Sequence, residues 1–160
     1  MQVKVDMSKV VDNSIPLDPD TYTCLIKKAV FTLPKGAEID SKGNLASLPT
    51  DPKTGDTVWP WVQLMAEITM GPMAGRSIFG RLTTNPDQTT NGSSKNYLLY
   101  GLCKVLGLAD SPSELNLDID PKTMDCNDLV NKAVNVVTTI NEQKETGDKF
   151  TNIKKFATAD

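Results

Sequence analysis

The sequence predicts a mainly β domain of five strands, with a single α-helix between the third and the fourth strand. Two observations predict this class. Five β-branched or aromatic runs are bounded by Gly- and Pro-rich turns, and only one segment repeats apolar residues at helical spacing. The chain has 160 residues, of which 39% are hydrophobic. That length suffices for one sizeable core, so we predict one domain over residues 1–160.

The five runs are predicted as strands because prolines and glycines delimit them. Pro19 and Pro34 flank the first run, and Gly71-Pro72 separates the second run from the third. The second and third runs therefore form a predicted hairpin, and the turn at 145–149 predicts another hairpin between the last two. The predicted strands cover residues 21–32, 58–70, 76–83, 132–142 and 150–156.

The helix lies between the third and the fourth run. Ser93 or Ser94 can cap its first turn, and Gly107 ends it. This element order is that of an OB-fold barrel, although the same elements could also close another small barrel or an α+β sandwich. The other segments are predicted to be an N-terminal arm at 1–20, a long loop with a small flap at 34–57 and an acidic connection at 109–128.

Composition excludes several classes of function. The sequence has no His, which removes Ser-His-Asp and Cys-His catalysis and His-ligated metals. Its three Cys lack the spacing of a zinc site, and the Asp residues between 118 and 128 lack the Gly and the terminal Glu of a calcium loop. No apolar run reaches about 18 residues, and no signal peptide is recognisable. We therefore expect an intracellular chain that is not an enzyme and has no metal or cofactor.

Alternation along the second and third strands predicts an aromatic and cationic surface opposite the core. The even-numbered positions of the second strand are almost all apolar, so Trp59 and Trp61 lie on the other face. On the third strand, Phe79 and Arg81 also point away from the core. Since the two strands form a hairpin, these four side chains are predicted to be neighbours, and we call them the platform.

The first and fifth strands supply further candidates. Alternation assigns Lys27 and Phe31 to one face of the first strand. It also assigns to one face of the fifth strand the residues Phe150, Asn152, Lys154 and Phe156. Aromatic and basic side chains on adjacent strands favour single-stranded nucleic acid, because bases stack on rings while Lys and Arg contact phosphates. The alternative is that the tryptophans pack beneath the 34–57 loop.

Five stretches of the chain carry a recognisable order of motifs. They are residues 22–31, residues 62–79 with Gly-Pro-Met-Ala-Gly-Arg, residues 98–108 ending in Leu-Gly-Leu, residues 128–136, and residues 152–156 with Asn-Ile-Lys-Lys-Phe. In this order they resemble the bacteriophage OB-fold single-stranded-DNA-binding protein family, long catalogued as a phage domain of unknown function. The 34–57 loop is longer than that of a minimal member.

The residues and the resemblance together predict a protein that binds and protects single-stranded DNA, with little sequence preference, during phage DNA replication or recombination. The predicted stacking residues are Trp59, Trp61, Phe79, Phe31 and Phe150. The predicted phosphate contacts are Arg81, Lys27, Lys154 and Lys155. The resemblance implies the cytoplasm of the infected bacterial host, with phage or host replication proteins as partners, and a homodimer stays open. The alternative is a non-catalytic protein-interaction or structural barrel of a phage, whose aromatic face binds a protein partner.

Overall fold

A five-stranded antiparallel sheet forms the body of the chain. A computed structural model describes residues 1–8, 15–42, 45–89, 92–109 and 117–159, so parts of the predicted arm, loop and acidic connection (9–14, 43–44 and 110–116) lie outside the described residues. The described elements are β1 (Thr21–Thr32), β2 (Glu38–Ile39), β3 (Leu45–Ser47), β4 (Trp61–Ile68), β5 (Ser77–Thr83), α1 (Tyr97–Val105), β6 (Ala133–Glu142) and β7 (Lys149–Ala157). The predicted mainly β class with one short helix is confirmed.

The strand order in the main sheet is β5–β4–β1–β6–β7, and each neighbouring pair is antiparallel. β1, β4 and β5 form a meander and β6 returns to pair with β1, which is a Greek key. β2 and β3 form the small flap predicted within the long loop. The edge strands β5 and β7 contact each other, but no backbone pairing joins them in the described part of the chain. The sheet is therefore open, and a closed barrel is not formed.

The line along which β5 and β7 meet, here called the seam, is closed by side chains. A Cβ atom added at Gly80 of β5 would lie 2.5 Å from Cδ1 of Ile153 of β7. The Ile153 side chain thus occupies the space that any larger residue at position 80 would need. Helix α1 packs against both edge strands. The two edges are in this way held together by packing instead of by a hydrogen-bonded ladder.

The N-terminal arm also crosses the seam. The N–H of the buried Leu17 donates to Oγ1 of Thr151 on β7 at 2.8 Å. On the other side, the guanidinium of Arg76, which directly precedes β5, donates through Nη2 to the carbonyl of Ile15. Residues 15–17 therefore connect the two edges of the open sheet.

The predicted core stripe of the second strand is confirmed over the length of β4. Val62, Leu64, Ala66 and Ile68 are buried. β4 begins only at Trp61, three residues later than predicted, because the ladder cannot continue through a proline nitrogen at position 60. Trp59 consequently lies outside the strand.

A β-bulge in β1 overturns the predicted position of Phe31. The register against β4 shifts between Ile26 and Lys28, so the buried positions change from Cys24 and Ile26 to Ala29 and Phe31. Phe31 is only 8% exposed and belongs to the core. It therefore does not share a face with an exposed Lys27, and it is not available for stacking.

A second bulge lies in β7. In its pairing with β6, Lys155 and Ile153 have partners and Lys154 between them has none. The buried residues of β7 are Ile153 and Phe156, which are three positions apart. The prediction that Phe156 shares a face with Phe150 is therefore wrong, because the bulge shifts the alternation by one residue. Lys154 and Lys155 are both exposed.

The sequence predicts the end of helix α1 correctly, but not its first turn. Its N-cap is Asn96, whose side chain makes no capping hydrogen bond, so the predicted serine cap is wrong. Its end is as predicted: Gly107 follows with a φ of +77° and donates its N–H to the Lys104 carbonyl at 3.1 Å. Among the described helical residues, none lies in a segment long and apolar enough to cross a membrane.

Candidate nucleic-acid interface

The face of β1, β4 and β5 that lies opposite the core, here called the outer face, arranges its side chains in cross-strand rows. The registers of the two strand pairs fix these rows. Side chains within one row are close neighbours, and those in adjacent rows meet diagonally. The rows are Thr32–Trp61–Thr83, Val30–Gln63–Arg81, Lys28–Met65–Phe79 and Leu25–Glu67–Ser77.

Arg81 lies over the indole ring of Trp61. Its Cζ atom is 3.5 Å from the ring centroid, a cation–π contact made diagonally across the hairpin. The direct cross-strand partner of Arg81 is Gln63, whose Nε2 donates to the Gly80 carbonyl at 3.3 Å. The guanidinium therefore lies against one face of Trp61, where its N–H groups can still donate to a ligand.

Phe79 is the most exposed aromatic residue of the predicted platform, with 53% of its surface accessible. It lies opposite Met65 and two residues from Arg81, on the same side of β5. An exposed Phe beside a stacked Arg offers both an apolar ring and a cation to a flat, negatively charged polymer. The structure thus brings together three of the four predicted platform residues.

Lys28 belongs to the outer face and was missed by the sequence reasoning. Because of the bulge after Ile26, Lys28 pairs with Met65, in the row of Phe79. The signal in the sequence was the doublet Lys27-Lys28, which presents a cation to this surface in either register. Lys28 is exposed.

Lys27 forms an ion pair with Glu67 of the outer face. Its Nζ lies 3.7 Å from Oε2 of Glu67, and the two side chains are 42% and 39% exposed. Such a surface pair contributes little to stability, but it places a carboxylate beside the cation. Lys27 is therefore a weaker phosphate contact than Lys28.

Trp59 lies where the long loop joins β4. The neighbouring Val58 donates its N–H to the Pro49 carbonyl at 2.9 Å, and the Pro60 carbonyl accepts the N–H of Thr84 at 3.0 Å. Trp59 is half-buried at this junction. It is one residue outside the strand that carries Trp61, so the two indoles do not lie in one strand row.

Of the β7 candidates, Phe150 shares a cleft with Phe79 of the platform. It is 48% exposed and lines, together with Phe79, a cleft of about 170 Å³ at the seam. Lys155 lies in a row with Val137 and Thr21, at the opposite end of β1 from the row of Trp61. Lys155 is thus an exposed cation away from the row of Trp61, whereas Lys154 is exposed next to Ile153, the residue that meets Gly80 between Phe79 and Arg81.

The cysteines offer no reactive thiol at the described surface. All three are free and buried, and burial raises the pKa of Cys24 to about 12, of Cys103 to about 11 and of Cys126 to about 12. The prediction of buried thiols at Cys24 and Cys103 is confirmed. Asp120 in the acidic connection accepts the N–H groups of Lys122 and Thr123, which is a local turn, and the described residues contain no cluster of three or more metal-ligating side chains.

Comparison of the sequence with protein-family models and with curated proteins finds no match to either. The chemistry of the outer face itself is therefore the basis for a function. That face presents an aromatic–cation pair, an exposed Phe and a further Lys on three adjacent strands. Such a surface can stack on planar rings and neutralise phosphate charge.

Proposed function

We propose that the chain binds single-stranded DNA on the outer face of β4 and β5, with little sequence preference. The observation that carries the proposal is the Arg81 guanidinium stacked on Trp61 beside the exposed Phe79. Aromatic rings stack on any base, and cations follow the phosphate backbone. The net charge is −3, so the attraction for phosphate has to come from the cations of this face. Because each phosphate contact releases counterions, binding should weaken as the salt concentration rises.

The topology supports the proposal. We propose that the open Greek-key sheet is an OB-type barrel, a fold that is partly open and binds oligonucleotides on the face of its second and third strands. In this chain those strands are β4 and β5, which carry Trp61, Phe79 and Arg81. The loop between the first two strands is the long 34–57 segment, which precedes β4 in the chain.

The proposed mechanism is sequestration. Bases stack on Phe79 and on the Trp61–Arg81 pair, while Lys28 and the N–H groups of Arg81 contact phosphates. The side chains of the platform offer few groups that read base edges, so the sequence of the strand has little influence. Stacked bases are withdrawn from pairing and from attack. The proposal assigns the chain no catalytic role and no cofactor.

The biological setting stays a prediction from the family resemblance. It comprises phage DNA replication or recombination, the cytoplasm of the infected bacterial host, and phage or host replication proteins as partners. A homodimer that leaves the outer face of β4 and β5 uncovered is compatible with the proposal.

The test compares Trp61→Ala with Tyr97→Ala, which removes an exposed aromatic residue of helix α1 as a matched control. Fluorescence anisotropy measures binding to a labelled oligothymidylate of about 20 nucleotides, longer than the roughly 4–16 nucleotides that one OB fold covers. We expect Trp61→Ala to weaken binding at least about fivefold and Tyr97→Ala to leave it unchanged. Equal affinity of both variants and the wild type would contradict the proposed face, provided that thermal unfolding shows both variants folded.

A second candidate is a protein-binding surface, favoured by one observation. Four exposed apolar residues lie around the seam: Ile15, Met73, Phe79 and Phe150. Exposed apolar side chains grouped in this way are typical of protein contacts. This candidate predicts that the wild type shows no affinity for single-stranded DNA, even at low salt, and that it forms a stable complex with itself or with another protein.

A further inference from the structure

The cleft at the seam lies beside the platform, and we call it the seam cleft. It has a volume of about 170 Å³ and is open to solvent on the side of two half-exposed phenylalanines. A drug-sized ligand needs roughly 300 Å³ or more, so the space suits one planar ring. Its lining residues are Pro16, Arg76, Ser77, Ile78, Phe79, Phe150 and Thr151.

Two aromatic side chains face this cleft from different strands. Phe79 projects from β5 and Phe150 from β7, and they are 53% and 48% exposed. Neither residue belongs to the core. The buried residues beside them on β5 and β7 include Ile78 and Ile153. Two exposed rings that line one small cleft favour a flat apolar guest, because contact with a base removes ring surface from water.

Arg76 gives the cleft a cation with incomplete partners. Its Nη2 donates to the Ile15 carbonyl and its Nη1 lies 4.0 Å from the sulfur of Met73. Its Nε is buried and has no hydrogen-bond partner among the residues that the structure describes. No carboxylate of the described residues lies within ion-pair distance of Arg76. A partly buried guanidinium with an unpartnered N–H gains from an anion, which accepts charge-assisted hydrogen bonds.

We propose that the seam cleft is a nucleotide subsite that holds one base of the bound strand against Phe79 and Phe150, with its phosphate on Arg76. The guanidinium already lines the cleft, so a phosphate oxygen bound there can accept its N–H groups. This inference rests on the proposed binding of single-stranded DNA and extends it, because Phe79 then belongs to two subsites. The strand runs from the Trp61–Arg81 pair along β5 to the seam.

The position of the subsite makes a specific prediction about the ligand. Phe79 and Arg81 are two residues apart on β5, about 7 Å, and the seam lies beyond Phe79 on the side away from Trp61. One base near one end of a short bound strand therefore enters the cleft, while the others stack on the platform. Removal of that base alone should weaken binding more than removal of a base outside both subsites.

The experiment uses the full chain and a set of labelled oligothymidylates of about ten nucleotides, each with a single abasic position. Binding is measured by anisotropy for the wild type and for Phe150→Ala. For the wild type we expect a loss of about 5- to 150-fold at one position near one end. Phe150→Ala should bind the intact strand more weakly by a similar factor, and should no longer distinguish that abasic position.

Two further variants make the test decisive. Phe150→Leu keeps apolar volume and removes the ring, so it should show the same loss of position dependence even if Phe150→Ala does not fold. Arg76→Gln should reduce the slope of log affinity against log salt by about 0.7, the contribution of one phosphate contact. An unchanged slope would contradict the assignment of Arg76.

The outcomes separate this inference from the proposed function. If the wild type binds the intact strand but Phe150→Leu retains its affinity and its dependence on abasic position, the seam cleft is not a subsite and the platform alone binds DNA. If the wild type binds no oligothymidylate at low salt, the proposed function fails and the subsite fails with it.

Discussion

Gly80 of β5 and Ile153 of β7 fit each other across the seam: a Cβ at position 80 would lie 2.5 Å from Cδ1 of Ile153. Gly80 also stands between Phe79 and Arg81, the two exposed site residues of β5. Gly80, which leaves room for the Ile153 side chain where the two edge strands pack, is therefore also the residue between the two exposed candidate binding residues. Fold and site depend on one glycine.

Gly80→Ala should destabilise the chain, by about 1–3 kcal/mol, because the added methyl group overpacks the seam. Ile153→Val removes the Cδ1 atom and alone should cost about 0.5–1.5 kcal/mol. The double variant should be more stable than the sum of the two single effects predicts. Urea denaturation of the four proteins measures this coupling. Strictly additive free energies of unfolding would show that a methyl group at position 80 does not meet the Ile153 side chain.

Phe31 and Phe79 should respond in opposite ways to replacement by Ala. Phe31 is 8% exposed, so Phe31→Ala should lower the free energy of unfolding by about 3–5 kcal/mol. Phe79 is 53% exposed, so Phe79→Ala should leave stability nearly unchanged and weaken DNA binding. Chemical denaturation and anisotropy of the same preparations test both. A stable Phe31→Ala variant with impaired binding would restore Phe31 to the site and remove it from the core.

Replacement of Lys28 should weaken DNA binding more than replacement of Lys27, although the two residues are adjacent. Lys28→Ala should weaken DNA binding and reduce the salt slope by about 0.7, since Lys28 lies in the row of Phe79. Lys27→Ala should have a smaller effect, because Glu67 lies 3.7 Å from the Lys27 ammonium. Glu67→Gln should strengthen binding by releasing that cation. Binding isotherms at several salt concentrations decide the ranking, and a larger effect of Lys27→Ala would contradict the bulged register.

The buried thiols should make stability fall at high pH. Burial raises the pKa of Cys24 and Cys126 to about 12 in the folded chain, against an ordinary value of 9.0. Between these two pKa values the folded state keeps protons that the unfolded state releases. The stability contributed by the neutral, buried thiols is therefore intact below about pH 9 and is lost as the pH rises toward 12. Urea denaturation at about pH 8 and about pH 10 tests this, because the two values lie on either side of the ordinary thiol pKa. The free energy of unfolding should fall more between them for the wild type than for Cys24→Ala. An equal pH dependence of the two proteins would indicate that Cys24 is accessible.

The sequence predicts β4 and β5 well because regular alternation holds there. Val62, Leu64, Ala66 and Ile68 are buried, and Phe79 and Arg81 point outward. Alternation of apolar and polar residues is a direct consequence of a pleated strand with one face on the core. The cation–π pair between Arg81 and Trp61 follows from the hairpin register, which the Gly71–Gly75 turn sets.

The sequence fails at the bulges. A bulge inserts one residue into a ladder and reverses the faces of everything beyond it, and no residue type marks that insertion in β1 or β7. Uninterrupted alternation therefore places Phe31 on the surface and leaves Lys28 out of the candidate site. The seam cleft also cannot be predicted from the sequence, because it depends on how β5, β7 and residue 16 of the arm meet in space.

The most direct measurement of the central claim is tryptophan fluorescence during titration with oligothymidylate, at about 50 mM salt and again at about 200 mM. The chain has two Trp, and one of them carries the Arg81 guanidinium on its ring, so the signal reports on the platform itself. We predict saturable quenching at low salt that weakens steeply at high salt, and a smaller signal change in Trp61→Ala. Unchanged fluorescence together with no mobility shift of the same DNA would contradict single-strand binding by this face.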